Sequence, residues 1–227
     1  MGLSAKMQSP VYDGRDYHRE CFPLATLLRV AISRRKQTEF KRMSDDRIRT
    51  PQEVVGYWCE VLTAKDWFQS TPELDARVHE QFAATHLALS REVTAEWRAS
   101  PEARLAALIV LDQFPRNMYR ASPMAFATDW IALREARLAV EAGADKGVAY
   151  DRRHFFYMPF EHSEDLADQD LSVKLFEAHG DEMYLDYAVR HRDVIARYGR
   201  FPHRNGFVGR ISTPAEAAYL AEPGAGF

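Results

Sequence analysis

The amino-acid sequence predicts an all-α protein built from helical hairpins, and three observations carry that expectation. Five Ser/Thr-Pro pairs punctuate the chain: Thr50-Pro51, Thr71-Pro72, Ser100-Pro101, Ser122-Pro123 and Thr213-Pro214. Each has the form of an N-cap followed by proline at the first helical position, where the missing N–H costs nothing and the fixed φ suits a helix. Apolar residues then recur at helical spacing, and no stretch shows the sustained period-two alternation of a half-buried strand.

Taken in order, the elements read as follows. After Pro51, Val54, Val55, Trp58, Val61 and Leu62 are expected on one face, and Glu53 completes a capping box. After Pro72, Leu74, Val78 and Phe82 do the same. Leu105–Phe114 is apolar on nearly every side until Asp112, which predicts a central, buried helix. After Pro123, residues 126–142 carry Trp130, Leu133, Leu138 and Ala142, and Gly143 stands where a helix would stop. Residues 164–178 carry Leu166, Leu171, Leu175 and Phe176. Residues 182–198 carry Tyr184, Tyr187, His191, Val194, Ile195 and Tyr198, with Gly199 after them. Glu216 completes a second capping box after Pro214. Short connections between such helices favour antiparallel pairs. No clean repeat near 34 residues is present, so pattern alone does not show a regular solenoid.

The expected division is an arm over residues 1–42 and a single helical domain over 43–227. The arm begins irregular and polar. It then presents Leu24, Leu27, Leu28, Ala31 and Ile32 beside Arg29, Arg34, Arg35, Lys36, Lys41 and Arg42. It reads as an appended arm, as a stretch ahead of a true start at Met43, or as a surface helix that meets anionic lipid or another acidic partner. The 227-residue chain is long enough for a real core. Its net charge of -3 argues against a dedicated nucleic-acid binder. No apolar run approaches a membrane span, so no integral membrane contact is expected. Two cysteines, Cys21 and Cys59, give no disulfide framework, and a reducing cytoplasm is the expected compartment.

Three polar segments stand out. LDQFPRN (Leu111–Asn117) and GRFPHRN (Gly199–Asn205) nearly repeat one another, and FEHSED (Phe160–Asp165) lies between them. Acids, histidines and arginines beside phenylalanine and proline suggest polar groups held by packing, and such groups must be paired. Asp112 is expected at the C-terminal end of the apolar helix, where a carboxylate needs a cation. Arg116, Arg120, Arg200, Arg204 and Arg210 are the available partners, because a guanidinium holds a carboxylate through two hydrogen bonds.

In FEHSED, Ser163 is expected to cap the next helix, with Glu164 and Asp165 in its first turn. Glu161 and His162 have no such explanation, and a carboxylate-oriented histidine can act as acid or base. Glu161, His162, Asp165, His191 and His203 also offer metal ligands, but no diagnostic spacing supports a metal and none is assigned. The Gly199–Arg210 loop, rich in arginine and glycine, is a fair anion cradle although it lacks a phosphate-loop fingerprint.

At these motifs the chain resembles a known bacterial family, domain of unknown function 924. The resemblance rests on LDQFPRNMYR (Leu111–Arg120), AFATD (Ala125–Asp129), FYMPFEHSEDLADQ (Phe156–Gln169), GRFPHRN and GRISTPAE (Gly209–Glu216). It covers about Pro51 to Leu220, with Tyr198 where the family has Phe; residues 1–42 fall outside. It implies a helical fold akin to tetratricopeptide-repeat proteins and brings no reaction, substrate or cofactor.

The leading expectation is a binding protein with one polar pocket. It would be made by Asp112, Arg116, Asn117, Glu161, His162, Asp165, Arg200, His203, Arg204, Asn205 and Arg210. Its ligand would be a small anionic molecule or a peptide carboxylate. The alternatives are a hydrolytic or acid–base enzyme using His162 or His203 with a carboxylate such as Asp112 or Glu161, with or without the help of a metal, or a purely structural network with partners bound elsewhere.

Overall fold

A computed structural model of the protein describes residues 46–226, all within one unit spanning Ser44–Phe227. The predicted arm, with Cys21, lies outside the described residues. Among these residues there is helix and no strand. The α-helices are α1 (Pro51–Gly56), α2 (Ala64–Phe68), α3 (Pro72–Arg91), α4 (Pro101–Leu108), α5 (Phe114–Met118), α6 (Asp129–Glu141), α7 (His154–Glu161), α8 (Leu166–His179), α9 (Glu182–Tyr198) and α10 (Pro214–Leu220).

The Ser/Thr-Pro pairs do what their chemistry predicts. Thr50, Thr71, Ser100 and Thr213 each accept the N3 backbone N–H, and Glu53 and Glu216 close capping boxes. Ser122-Pro123 differs, opening only a short 3-10 turn, Pro123–Phe126, so that α6 begins later than expected. In α6 the inward stripe is Ile131, Ala132, Ala136 and Ala139, while Trp130 and Leu138 face solvent.

Two π-helical turns reshape the pattern. Tyr57–Val61 follows α1, and its wider turn swings Val61 outward while Trp58 stays buried. Ile109–Gln113 joins α4 to α5, so the apolar helix continues past Asp112 to Met118. Asp112 therefore sits in a π turn within a continuous helical run, and burial, not a helix terminus, is what demands its partners. Pro115, just past the second turn, lacks the N–H that would reach the Leu111 carbonyl. Phe114 N–H bonds the Ile109 carbonyl, and Thr128 Oγ1 donates to Leu111 O at 2.6 Å.

Neighbours in sequence pack as neighbours in space: α6 on α7, α7 on α8, α8 on α9. Gly180, in the left-handed region at φ 83°, makes the tight turn between α8 and α9. Helix α3 lies on α5, and α4 packs against α1 and α6. The core is aromatic. Trp58 and Phe82 flank Phe114, with ring centres 5.5 and 4.4 Å away, and Trp67 stands edge-on to Phe155 at 5.1 Å. Helix α7 is buried along all eight residues, His154 to Glu161. A second small cluster, Val194, Ile195 and Phe201 with Tyr198 and Tyr219, seats the C-terminal segment.

Candidate functional site

The polar network is built where the π turn after α4, the end of α7, the middle of α9 and the Phe201–Arg210 loop meet. Asp112 is 1% exposed. Its Oδ1 accepts from His162 Nδ1 at 2.7 Å and lies 3.5 Å from Arg116; its Oδ2 accepts from Gln113 at 2.5 Å. Burial alone would raise this carboxyl, but Arg116 and His162 outweigh it and hold it near 2, so Asp112 is ionised. Arg116 spans Asp129 with two nitrogens, at 3.1 and 3.2 Å, and also donates to the Asp112 carbonyl. Asp129 is shared: Arg204 Nη1 reaches its Oδ2 at 3.2 Å.

Arg204 is the least compensated cation of this group. Its guanidinium carbon lies 4.6 Å from the ring centres of both Phe126 and Phe201, two cation–π contacts on one charge. Burial pushes it down to about 10 even against Asp129, with Arg116 adding repulsion. Its Nε is buried with no hydrogen-bond partner.

A second carboxylate–histidine pair lies beside the first. His191 Nδ1 is 2.9 Å from Glu161 Oε1 and 2.8 Å from the Tyr187 carbonyl. The His162 and His191 ring centres are 6.3 Å apart at 63°. Glu161 and His162 are adjacent in the chain yet serve different pairs, because Glu161 ends α7 while His162 is its C-cap. Gln169 of α8 fixes this corner, with its Nε2 within 2.6 Å of the Glu161 carbonyl, 2.7 Å of Ser163 and 3.4 Å of Phe160. His203 stands over Phe201, ring centres 5.5 Å apart. Burial first, then Arg204 and His191, push it down to about 4, so it is a neutral and poor base.

The remaining expected residues have other duties. Asn117 faces the opposite way, donating to Ser70 and Asp75 at 2.9 and 2.8 Å in a network with Arg120. Asp165, not Ser163, is the N-cap of α8, accepting from Ala167 at 2.7 Å. Ser163 is committed to Asp168, which Arg137 also contacts. Glu164 is not a first-turn residue: it accepts from the Phe201 N–H at 2.8 Å and from both Arg210 terminal nitrogens. Arg200 pairs with Glu216 at 2.6 and 2.8 Å on the far side of the loop. It lines an open depression of about 460 Å³ with Arg197, Tyr198, Thr213, Ala215 and Glu216, away from Asp112. Asn205 donates to Ser212 and accepts the Arg210 N–H, closing the loop on itself.

Six of the eleven expected residues thus converge in or beside one network: Asp112, Arg116, Glu161, His162, His203 and Arg204. Arg210 is linked at its edge through Glu164. Sequence reasoning missed Asp129 as the shared acid, because an acid in a first helical turn is ordinary. His191 was expected as a residue of the 182–198 helix and as one possible metal ligand, not as the partner of Glu161. Among the described residues, no three His, Cys, Asp or Glu side chains gather in a way that could hold a metal ion. No helix among them is long and apolar enough to cross a membrane.

Fold and site define a class: an all-helical protein with a buried acid–histidine–arginine network at one helix corner. The family model described as "Bacterial protein of unknown function (DUF924)" matches residues 54–224, and the chain belongs to that family. A solved structure of a protein of unknown function from Agrobacterium tumefaciens is similar to it, with 38% sequence identity and a TM-score of 0.72. The match covers 75% of this chain and 96% of that one. No curated protein matches.

Proposed function

We propose that the protein binds a small anionic molecule or the carboxylate end of a peptide at Arg204. The supporting observation is the state of that guanidinium: buried between Phe126 and Phe201, joined to a carboxylate that Arg116 also uses, and carrying a buried Nε without a partner. An incompletely paired buried cation is costly, and an arriving anion with a second oxygen relieves that cost through a fork contact. The other arginines of the loop are taken, Arg200 by Glu216 and Arg210 by Glu164. This narrows the expected cradle to one residue.

The test is thermal stabilisation by phosphate, succinate and an acidic peptide with a free C-terminus. A ligand that binds only the folded state raises Tm in proportion to the logarithm of its concentration. Wild type is expected to respond and Arg204→Met to lose the response, with Arg204→Lys retaining a weaker one because an ammonium cannot fork. An equal response from Arg204→Met would place the anion elsewhere.

A further inference from the structure

We propose that residues 221–226, the turns that follow α10, form a strap that holds the Pro202–Arg204 turn down, and that this strap must lift for an anion to seat at Arg204. This rests on the anion-binding reading and adds the gate to it.

The strap is shaped by two glycines. Gly224 and Gly226 both sit in the left-handed region, at φ 77° and 93°. Their surroundings differ. Chain neighbours aside, nothing lies within 4 Å of where a side chain on Gly224 would begin, so that glycine serves the bend alone. At Gly226 a β-carbon would stand 3.0 Å from His203 Cβ and 3.5 Å from its Cγ. The strap backbone is therefore laid against the stem of the histidine, closer than any side chain would allow.

Little else ties the strap down. Among the described residues its hydrogen bonds are local. Ala221 N–H reaches the Ala218 carbonyl at 3.2 Å, Glu222 N–H that of Tyr219 at 3.0 Å, and Ala225 N–H that of Glu222 at 3.2 Å. Residues 221–224 are exposed, and only Ala225 and Gly226 are half-buried. A segment with so few tertiary contacts lifts at low cost.

What the strap presses on leads to Arg204. His203 and Arg204 are consecutive in the 3-10 turn Pro202–Arg204. The His203 ring centre is 5.5 Å from that of Phe201, and the Arg204 guanidinium carbon is 4.6 Å from the same ring centre. A turn pinned at His203 is thus pinned at Arg204. Arg204 is 8% exposed, so an anion reaches its guanidinium only when the turn shifts. Strap down and anion seated are alternative states. The apparent affinity for an anion is then lower than the intrinsic one by the fraction of molecules whose strap is already up.

The experiment titrates the full chain with inorganic phosphate and with succinate, reading thermal shift. Gly226→Val places a branched side chain at positive φ and against His203, which unseats the strap. It is expected to bind about tenfold more tightly than wild type, because the closed state no longer competes. The double variant His203→Cys/Gly226→Cys locks the strap down through a disulfide between two positions whose β-carbons are near bridging distance. Oxidised, it is expected to lose the response to both anions; reduced with dithiothreitol, it should regain it. Unchanged affinity in Gly226→Val, or equal responses from the oxidised and reduced forms, overturns the strap and leaves the binding reading standing. If wild type, Gly226→Val and the reduced form all fail to respond, the anion-binding reading falls and the strap with it. Should Gly226→Val fail to fold, the oxidised and reduced forms decide alone.

Discussion

Thr128 donates its hydroxyl to the Leu111 carbonyl at 2.6 Å, occupying the place left by the N–H that Pro115 lacks. Thr128→Val would leave a buried carbonyl unpaired and is expected to cost about 1–3 kcal/mol. Pro115→Ala restores a donor, so Thr128→Val in that background should cost measurably less. A double-mutant cycle by urea denaturation reads the coupling. Strict additivity would show that the two residues do not compensate one another.

Gln169 holds three backbone carbonyls of the FEHSED corner through one amide nitrogen. Gln169→Met is expected to lose about 1–3 kcal/mol, the penalty for orphaning buried acceptors. Gln169→Glu should be worse than Gln169→Met, since a carboxylate would face oxygens alone. The order of the two urea midpoints checks this, and a reversed order would contradict the assignment.

Asp112 and Asp165 were grouped together in the sequence reading, and stability separates them. Asp112→Asn removes one member of a buried charged pair and is expected to cost about 3–5 kcal/mol. Asp165→Ala removes an N-cap and is expected to cost about 1 kcal/mol. Equal losses would be incompatible with this division.

Acid should act in two stages. Burial pushes His86 down to about 4, and burial with His179 pushes His154 down to about 3, below the unfolded value of about 6.5. Below that unfolded value the unfolded chain takes up the protons first. The contribution is complete above about pH 6.5 and is lost as pH falls toward the folded values, on the order of 3 kcal/mol for His86 and roughly 5 kcal/mol for His154. Asp112, held near 2, contributes fully above about pH 4 and loses its share on the way to 2. Urea midpoints from pH 7 to pH 4 are expected to fall in wild type and to fall less in His154→Phe. Parallel curves would remove His154 from the account.

The caps and the central helix were legible in the sequence because each rests on a local rule: a hydroxyl before proline, or a run of apolar residues. Helix α7 was not legible, since burial on every side leaves no stripe to detect. Val61 and Trp130 were assigned inward because helical spacing assumes 3.6 residues per turn from a known start. A π turn broke that period before Val61, and in α6 the smaller residues Ile131, Ala132, Ala136 and Ala139 took the inward face in place of Trp130. At the site, the sequence indicated which residue types would gather but not which partners they would take. Arg116 finding Asp129, and His191 finding Glu161, are tertiary pairings with no signature in spacing.

The loop that supplies Arg204 is fastened to the rest mainly by charge: Glu164 grips Arg210 and the Phe201 amide, and Asp129 grips Arg204. Only a small apolar cluster backs these contacts, against the large aromatic core elsewhere. Fastenings of this kind, backed by little apolar packing, open below the global unfolding energy. Amide hydrogens from Phe201 to Arg210 are therefore expected to exchange with deuterium well before those of Leu105 to Leu111.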